Sequence, residues 1–169
     1  MIGELEDRDK ILITEGYATG ATLHELTGLP VVVAFHAGNL PSVAEAFQEK
    51  YPEALLLIAG DDDHNKPSEK NVGRQKAEEA AQKVNGYTLL PAFGKNDSGT
   101  DWNDAVKQHG KEVVQHRLKI GITVAEKKHQ EQKQQWAREI EMQKQEKTAQ
   151  MSKEPDKALV QSGGRSLSL

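Results

Sequence analysis

Three consecutive aspartates, Asp61, Asp62 and Asp63, follow directly on the apolar run LLLIAG. Glu15 follows ILIT in the same way, and Asp101 and Asp104 come shortly after YTLLPAF. Crowded carboxylates repel, raise one another's pKa and cost stability unless a cation compensates them. A divalent metal is the simplest compensator. The candidate donors are all oxygens, which suits Mg²⁺ or Mn²⁺ rather than zinc. Mg²⁺ takes one or two carboxylates, keeps several waters and fills its remaining positions with substrate phosphate. That is the configuration of phosphoryl or nucleotidyl transfer. If the backbone stays extended through Asp63, alternation sends Asp61 and Asp63 to one side and Asp62 to the other, so the outer two form the working pair. A DDD run standing alone reads as a solvated turn and helix entry. Its conjunction with Glu15 and the later aspartates makes it a candidate site.

The elements around these residues put them on one edge. Ile11–Thr14, Val31–Phe35, Leu55–Ala59 and Tyr87–Phe93 read as strands, aliphatic or β-branched and bounded by Gly, Pro and Asn. Gly20–Leu26, Ser42–Tyr51 and Asn71–Val84 read as helices, the second with a capping box of Ser42 and Glu45, the third closed by Gly86. A further helix is predicted over Trp102–Lys119, with Asp101 as its cap and Trp102 anchoring it on the sheet. Strands alternating with single helices predict an α/β fold, a compact Rossmann-like parallel sheet of about four strands with helices on both faces. In such sheets chemistry collects at the carboxyl ends of the strands. Glu15, Asp61 to Asp63, Asp101 and Asp104 all fall there.

With 169 residues, 36% of them hydrophobic, the chain has apolar material for one domain and not two. The expected organisation is a domain over 1–122, a charged, Gln-rich helical tail over 123–150 and a disordered C-terminus over 151–169. From Glu126 to Lys147 there are 6 Gln, 6 Lys or Arg and 5 Glu, a helix former without a core face. No a/d pattern persists long enough for a coiled coil. No run reaches the roughly 18 apolar residues that cross a bilayer, and the acidic start MIGELEDRDK is unlike a signal peptide, so a soluble, cytoplasmic protein without membrane contact is expected. The absence of cysteine excludes disulfides and cysteine-ligated zinc, and no zinc is expected in this chain. Residues 1–124 hold 13 Lys or Arg against 19 Asp or Glu, whereas 125–169 hold 9 against 7. The acidic front needs metal ions or a basic neighbour to hold a polyanion.

Two other acidic-site chemistries fail on the text, and a third, the glycosyltransferase, stays as a weaker alternative. An EF-hand loop beginning at Asp61 requires Gly at its sixth place and Glu at its twelfth, where this chain has Lys66 and Val72. A receiver domain carries its acidic pair after the first strand and a lone Asp after the third, the reverse of this order. A glycosyltransferase DxD leaves little room for an acceptor domain. Of the six histidines only His64 abuts the carboxylates, and no H-E-x-x-H pairing occurs.

Taken in order, ILITEGYATGATLHELTG with Glu15-Gly16-Tyr17, VVVAFHAGNL, LLLIAGDDDHN with NVGRQKAEEAA, and GTDWNDAV resemble the Toprim domain of plasmid and phage primases, especially the type found in conjugative primases and relaxase-primase fusions. Toprim is the fold shared by topoisomerases, bacterial primases and a group of nucleases. The likeness covers about residues 10–120. It implies that Glu15 is an acid/base or metal-associated glutamate, that Asp61 and Asp63 are the DxD metal ligands, and that Asp101 or Asp104 supplies the later acidic group. Asp62 is then either a spare surface charge or an outer-shell group. Arg74 and Lys76, on the first turns of a helix, stand as candidates for nucleotide or template contact, with charge balance on an exposed turn as the alternative. Asn39 could position a metal-bound water or serve as a helix-entry residue. Lys95 could neutralise the site or be a plain loop lysine.

The resemblance implies a Mg²⁺- or Mn²⁺-dependent primase module that makes RNA primers from nucleotides on single-stranded DNA in plasmid replication or conjugation. Such primases place a basic, template-holding subdomain before Toprim. Here the first strand begins about ten residues in, so the chain is expected to be a fragment or to borrow that grip from a partner such as a basic primase subdomain, a relaxase or a helicase. The alternatives are a small Toprim nuclease and a non-catalytic Toprim remnant serving as an interaction module.

Overall fold

The computed structural model describes residues 1–5, 9–65, 70–94 and 96–151. Lys95 and the C-terminal segment beyond Met151 lie outside the described residues, so the expectations for them do too. Two compact units divide the chain, Met1–His129 and Gln130–Leu169.

The first unit is a parallel sheet of four strands: β1 (Lys10–Thr14), β2 (Val31–Val33), β3 (Leu55–Ala59) and β4 (Tyr87–Leu89), in the order β2-β1-β3-β4. Between and after them run α1 (Tyr17–Thr27), α2 (Leu40–Lys50), α3 (Val72–Lys83), α4 (Trp102–His109) and α5 (Lys111–Met151). Every residue of β3 is buried, as befits a central strand covered on both faces. The side-chain period of two divides the core into two layers. Ile11, Ile13, Leu56 and Ile58 pack with Leu40, Ala44, Ala77 and Ala80 of α2 and α3. Leu12, Leu55, Leu57 and Leu89 pack on the other face with Leu23, Trp102, Val114 and Leu118 of α1, α4 and α5. Each fully buried Leu or Ile contributes about 2 kcal/mol of apolar transfer energy, which is what fixes β1 against β3.

After β1 the chain crosses to β2 on one side, and after α2 it returns to β3 on the other. The topological switch therefore lies between β1 and β3, where Thr14 stands beside Ala59. Glu15 follows the first of these strands and Asp61 the second. A crevice for ligands is expected at that point of an open α/β sheet.

Several boundaries differ from those expected, each for a local reason. β2 stops at Val33, two residues early, because Phe35 takes a left-handed backbone with φ 63°. β4 stops at Leu89, just before Leu90-Pro91. α1 begins at Tyr17, three residues early, directly behind the Glu15-Gly16 turn. α2 begins at Leu40 behind a single 3-10 turn, Ala37–Asn39, with Pro41 in its first turn, and Asn39 is its cap. The Ser42–Glu45 capping box is therefore absent. At the end of α3 it is Asn85, φ 50°, that turns left-handed, and the Gly86 N–H then reaches the Ala81 carbonyl at 2.8 Å. The single helix expected over Trp102–Lys119 is two, α4 and α5, because Gly110 with φ 84° breaks it.

The first unit also extends past residue 122. Ala125 is buried, and Lys10 pairs with Glu126 at 2.8 Å. Within the second unit the described residues, up to Met151, are helical and largely exposed; Trp136 is 65% exposed. Side-chain pairs such as Gln135 with Glu139 run along this stretch at helical spacing.

Candidate metal and nucleotide site

The loop after β3 is held on both flanks. Trp102, 3% exposed, donates its indole N–H to the Gly60 carbonyl at 3.2 Å, which seats α4 against the end of β3. A side chain at Gly60 would meet the Ala77 Cβ at 2.6 Å, so only glycine lets α3 lie this close to the strand end. The Asp62 N–H donates to the Thr100 carbonyl at 2.7 Å, bringing the loop before α4 alongside. Across the same edge Thr22 of α1 donates to Asn103 of α4 at 2.5 Å.

The three aspartates part ways here. Asp62 is buried, with its side chain on Asn71 and Arg74: Asn71 Nδ2 donates to Asp62 Oδ1 at 2.6 Å, and the Arg74 guanidinium stands 3.3 Å from Oδ2. Asn71 also caps α3, its Oδ1 accepting from the N–H groups of Arg74 and Asp63, both at 3.3 Å. His64 closes the loop, its N–H donating to the Asp62 carbonyl at 2.8 Å and its ring stacking on Phe93 with centroids 5.1 Å apart. Asp62 is thus neither a surface charge nor loosely placed. It is the fastening of the loop.

Asp61 stands on the other side of this fastening. Burial, and then repulsion from Glu15, Asp101, Asp63 and Asp104 in decreasing order, pushes its carboxyl from the ordinary 3.8 up to about 7. Carboxylates from three separate loops therefore act on one group. Among the described residues, Asp61 Oδ1 and Thr14 Oγ1 are buried side-chain oxygens without a hydrogen-bond partner. Buried oxygens left this way are uncommon and call for a ligand or another physical account.

The later acidic pair is built differently. Asp101 caps α4, its Oδ1 accepting from the Asp104 N–H at 2.7 Å. Asp104 accepts from the Thr100 N–H at 3.3 Å through one oxygen and pairs with Lys107 at 3.4 Å through the other. Both oxygens of Asp104 are engaged, and Asp101 acts more strongly on Asp61.

The donor set around Asp61 fits a hard divalent cation: oxygen only, one oxygen orphaned, excess negative charge. Among the described residues, however, no three His, Asp or Glu side chains stand close enough to form a closed metal cage. An open site of that kind is completed by ligand oxygens, as Mg²⁺ sites with substrate phosphate are.

The supporting residues divide. Arg74 is spent on Asp62 and, at 3.8 Å, on Glu78; Lys76 pairs with Glu79 at 2.6 Å on the exposed side of α3. Asn39 donates to the Ala34 carbonyl at 3.0 Å and so braces the turn after β2. Sequence reasoning missed Asn71 and Thr100 as the partners of Asp62. The sign available for Asn71 was its place just ahead of Val72-Gly73-Arg74, where a cap and a positive charge arrive together; Thr100 acts through its backbone, which no residue type reveals. A groove of about 610 Å³ lies away from the carboxylates, lined by Lys10, Leu29, His116 and Lys119 among others.

The sequence model of the family described as Toprim domain matches residues 10–112. Two proteins described as DNA primase TraC, from Escherichia coli, are similar: one is 44% identical over 90 residues, 52% of this chain and 8% of that protein. The other is 46% identical over 85 residues, 49% of this chain and 6% of that protein. The chain thus spans less than a tenth of the length of these curated relatives. A solved structure of bacteriophage T7 lagging-strand DNA polymerase interacting with primase domains of two gp4 subunits, bound to an RNA/DNA hybrid and dTTP, overlays with a TM-score of 0.47 at 24% identity, covering 64% of this chain and 53% of that one.

Proposed function

The chain belongs to the Toprim domain family, and from that premise we propose that it is the catalytic module of a DNA primase, a divalent-metal-dependent nucleotidyltransferase making RNA primers on single-stranded DNA in plasmid replication or conjugative transfer. Relatives named as DNA primases over the matched segment support the reading. The observation that carries it is Asp61, loaded by carboxylates from the loops after β1 and β3 and before α4.

In this reaction the 3′-oxygen of the primer forms a bond to the α-phosphorus of a nucleoside triphosphate. The α–β bridging bond breaks, and pyrophosphate leaves with its electron pair. Asp61 and Asp63 would hold Mg²⁺ or Mn²⁺, and Asp101 would join them in preference to Asp104, both of whose oxygens are engaged. When bound, the ion neutralises phosphate charge and acidifies the attacking hydroxyl. Glu15, across the switch point, is assigned to receive the hydroxyl proton. Asp61 contributes to binding through its surroundings: with a pKa near 7 it is about half ionised at neutral pH, and a bound cation would favour its charged form. Arg74 keeps the loop in place through Asp62 instead of touching phosphate, and Lys76 and Asn39 take no part in the chemistry.

The excess of acidic over basic residues in 1–124, 19 against 13, predicts poor grip on DNA by this domain alone. Template is expected to be held by a basic primase subdomain, a relaxase or a helicase. Among the described residues no helix is long and apolar enough to cross a membrane, and a cytoplasmic setting fits the proposal.

The test is titration of the purified chain with Mg²⁺ and Mn²⁺, followed by calorimetry and amide shifts, beside the Asp61→Ala/Asp63→Ala variant. Saturable binding lost in the variant is expected. Primer synthesis is expected only when a template-binding domain is added; robust template-dependent synthesis by the chain alone would refute the inference about grip. Metal-dependent nicking without synthesis would move the assignment to a nuclease. Unchanged activity of the double variant in the host would make the domain a non-catalytic remnant.

A further inference from the structure

Phe35 stands where a folding protein has no use for it. It follows β2 at the carboxyl edge, is 78% exposed, and holds φ at 63°. A bulky residue in the left-handed region is an outlier, and such strain persists only where the surroundings enforce it. The enforcement is visible on both sides of the residue. The Ala34 N–H donates to the Thr14 carbonyl at 2.8 Å, and Asn39 Nδ2 donates to the Ala34 carbonyl at 3.0 Å. On the far side His36 Nδ1 accepts from the Gly38 N–H at 2.9 Å. The turn is thus clamped with an aromatic ring in water. Glycine would hold this backbone without strain and expose no apolar surface.

The location gives the ring a use. Thr14, which anchors the turn, directly precedes Glu15, so Phe35 sits in the loop next to the candidate base. Tyr17, at the first position of α1 two residues beyond Glu15, is exposed as well, at 63%. Two exposed aromatics therefore lie at the carboxyl edge, one in the turn after β2 and one at the start of α1, and Glu15 follows β1, the strand paired with β2. Aromatic rings stack nucleobases without regard to sequence, because every base has a π-face. A mobile single strand is the poorer occupant, since the acidic domain repels a polyanion that brings no metal. A nucleotide that arrives with Mg²⁺ on its phosphates meets a smaller barrier, because the cation would offset both the phosphates and the aspartates.

We propose that Phe35, with Tyr17 at the start of α1, is the stacking platform for the base of the nucleoside triphosphate whose phosphates lie at the acidic edge. This rests on the primase reading for the phosphate end and adds the base end. The platform is sequence-tolerant, and the left-handed turn is retained because it keeps the ring out of the core and presented to ligand.

The test compares ATP with inorganic tripolyphosphate, both with Mg²⁺, on the full chain by calorimetry. Wild type is expected to bind ATP roughly 5- to 100-fold more tightly than tripolyphosphate, the range that base stacking gives. Phe35→Gly is expected to lose that preference, leave tripolyphosphate binding unchanged, and melt at or above the wild-type temperature. Phe35→Trp is expected to keep the preference. Equal binding of ATP and tripolyphosphate by wild type, or a preference that survives in Phe35→Gly, overturns the platform while the acidic site stands. ATP binding that Phe35→Gly weakens but Asp61→Ala/Asp63→Ala does not supports the platform and refutes the acidic edge as the phosphate site. Failure of wild type to bind either probe overturns both.

Discussion

Asp61 and Asp62 are adjacent, chemically identical and carried by one loop, yet their surroundings are opposite. Asp62 receives an amide hydrogen bond at 2.6 Å and stands 3.3 Å from a guanidinium, so both of its oxygens have a partner. Asp61 receives four other carboxylates and leaves one oxygen without a partner. The first is compensated by the protein and so contributes stability. The second is left uncompensated by the protein, and the proposed metal site rests on that. A single turn of chain separates a carboxylate with partners from one with an unpartnered oxygen, and the division can be attacked from either side.

The largest effect is expected on the Asp61 side. With a template-binding domain added, Asp61→Ala/Asp63→Ala should lower metal-dependent nucleotide binding and turnover by about 10²- to 10³-fold, the scale of losing preorganised charge stabilisation in an active site; steady-state assays read this. On the other side, Asp62→Ala removes the acceptor of the Asn71 amide and the nearer of two carboxylates at Arg74, and should destabilise the fold by roughly 2–3 kcal/mol, below the figure for a fully buried pair because Arg74 is partly exposed. Asp62→Asn, which keeps the Asn71 contact, should cost less. If Asp62→Ala instead removed metal binding with no change in the urea midpoint, the two roles would be exchanged.

Acid and base should distinguish the same two groups. The folded pKa of Asp61, about 7, lies above its ordinary 3.8. The folded state therefore binds a proton that the unfolded state has released, and stability falls as pH rises from about 4 to 7. After discounting for partial solvent exposure the penalty at pH 8 is on the order of 2 kcal/mol. Asp61→Asn should thus be more stable than wild type at pH 8 and equal to it at pH 4. Mg²⁺ should raise the wild-type melting temperature at pH 8 and leave that of Asp61→Asn unmoved. A wild type whose stability is flat over this range would remove the charge burden from the account.

The smallest contrast lies along α3. Arg74→Gln should cost about 1 kcal/mol through its bond to Asp62, a charge-assisted contact weakened by exposure, while Lys76→Gln should stay within about 0.5 kcal/mol, as exposed helix pairs do. Chemical denaturation resolves the two, and equal losses would show that Arg74 does not hold the loop.

The strands, the parallel α/β class and the loops that bear the carboxylates could be read from the chain because they follow local periods: LLLIA is continuously apolar and so buried on both faces, and helix patterns separate one strand from the next. Errors came where one residue's backbone overruled the pattern, as Phe35 ends β2 and Gly110 divides α4 from α5. The capping box at Ser42 failed in the same way, since the 3-10 turn ahead of α2 moved the helix start to Leu40.

The sequence by itself determined that acidic residues end two strands and open a helix, because side-chain period and turn chemistry act between near neighbours. Only the tertiary structure decided which of them share a space, because the order β2-β1-β3-β4 sets Glu15 beside Asp61. It also decided which aspartate is satisfied. Desolvation and hydrogen bonding depend on what lies across space, and Asn71, Arg74 and the Thr100 carbonyl reach Asp62 only once α3 and the loop before α4 have closed on the end of β3.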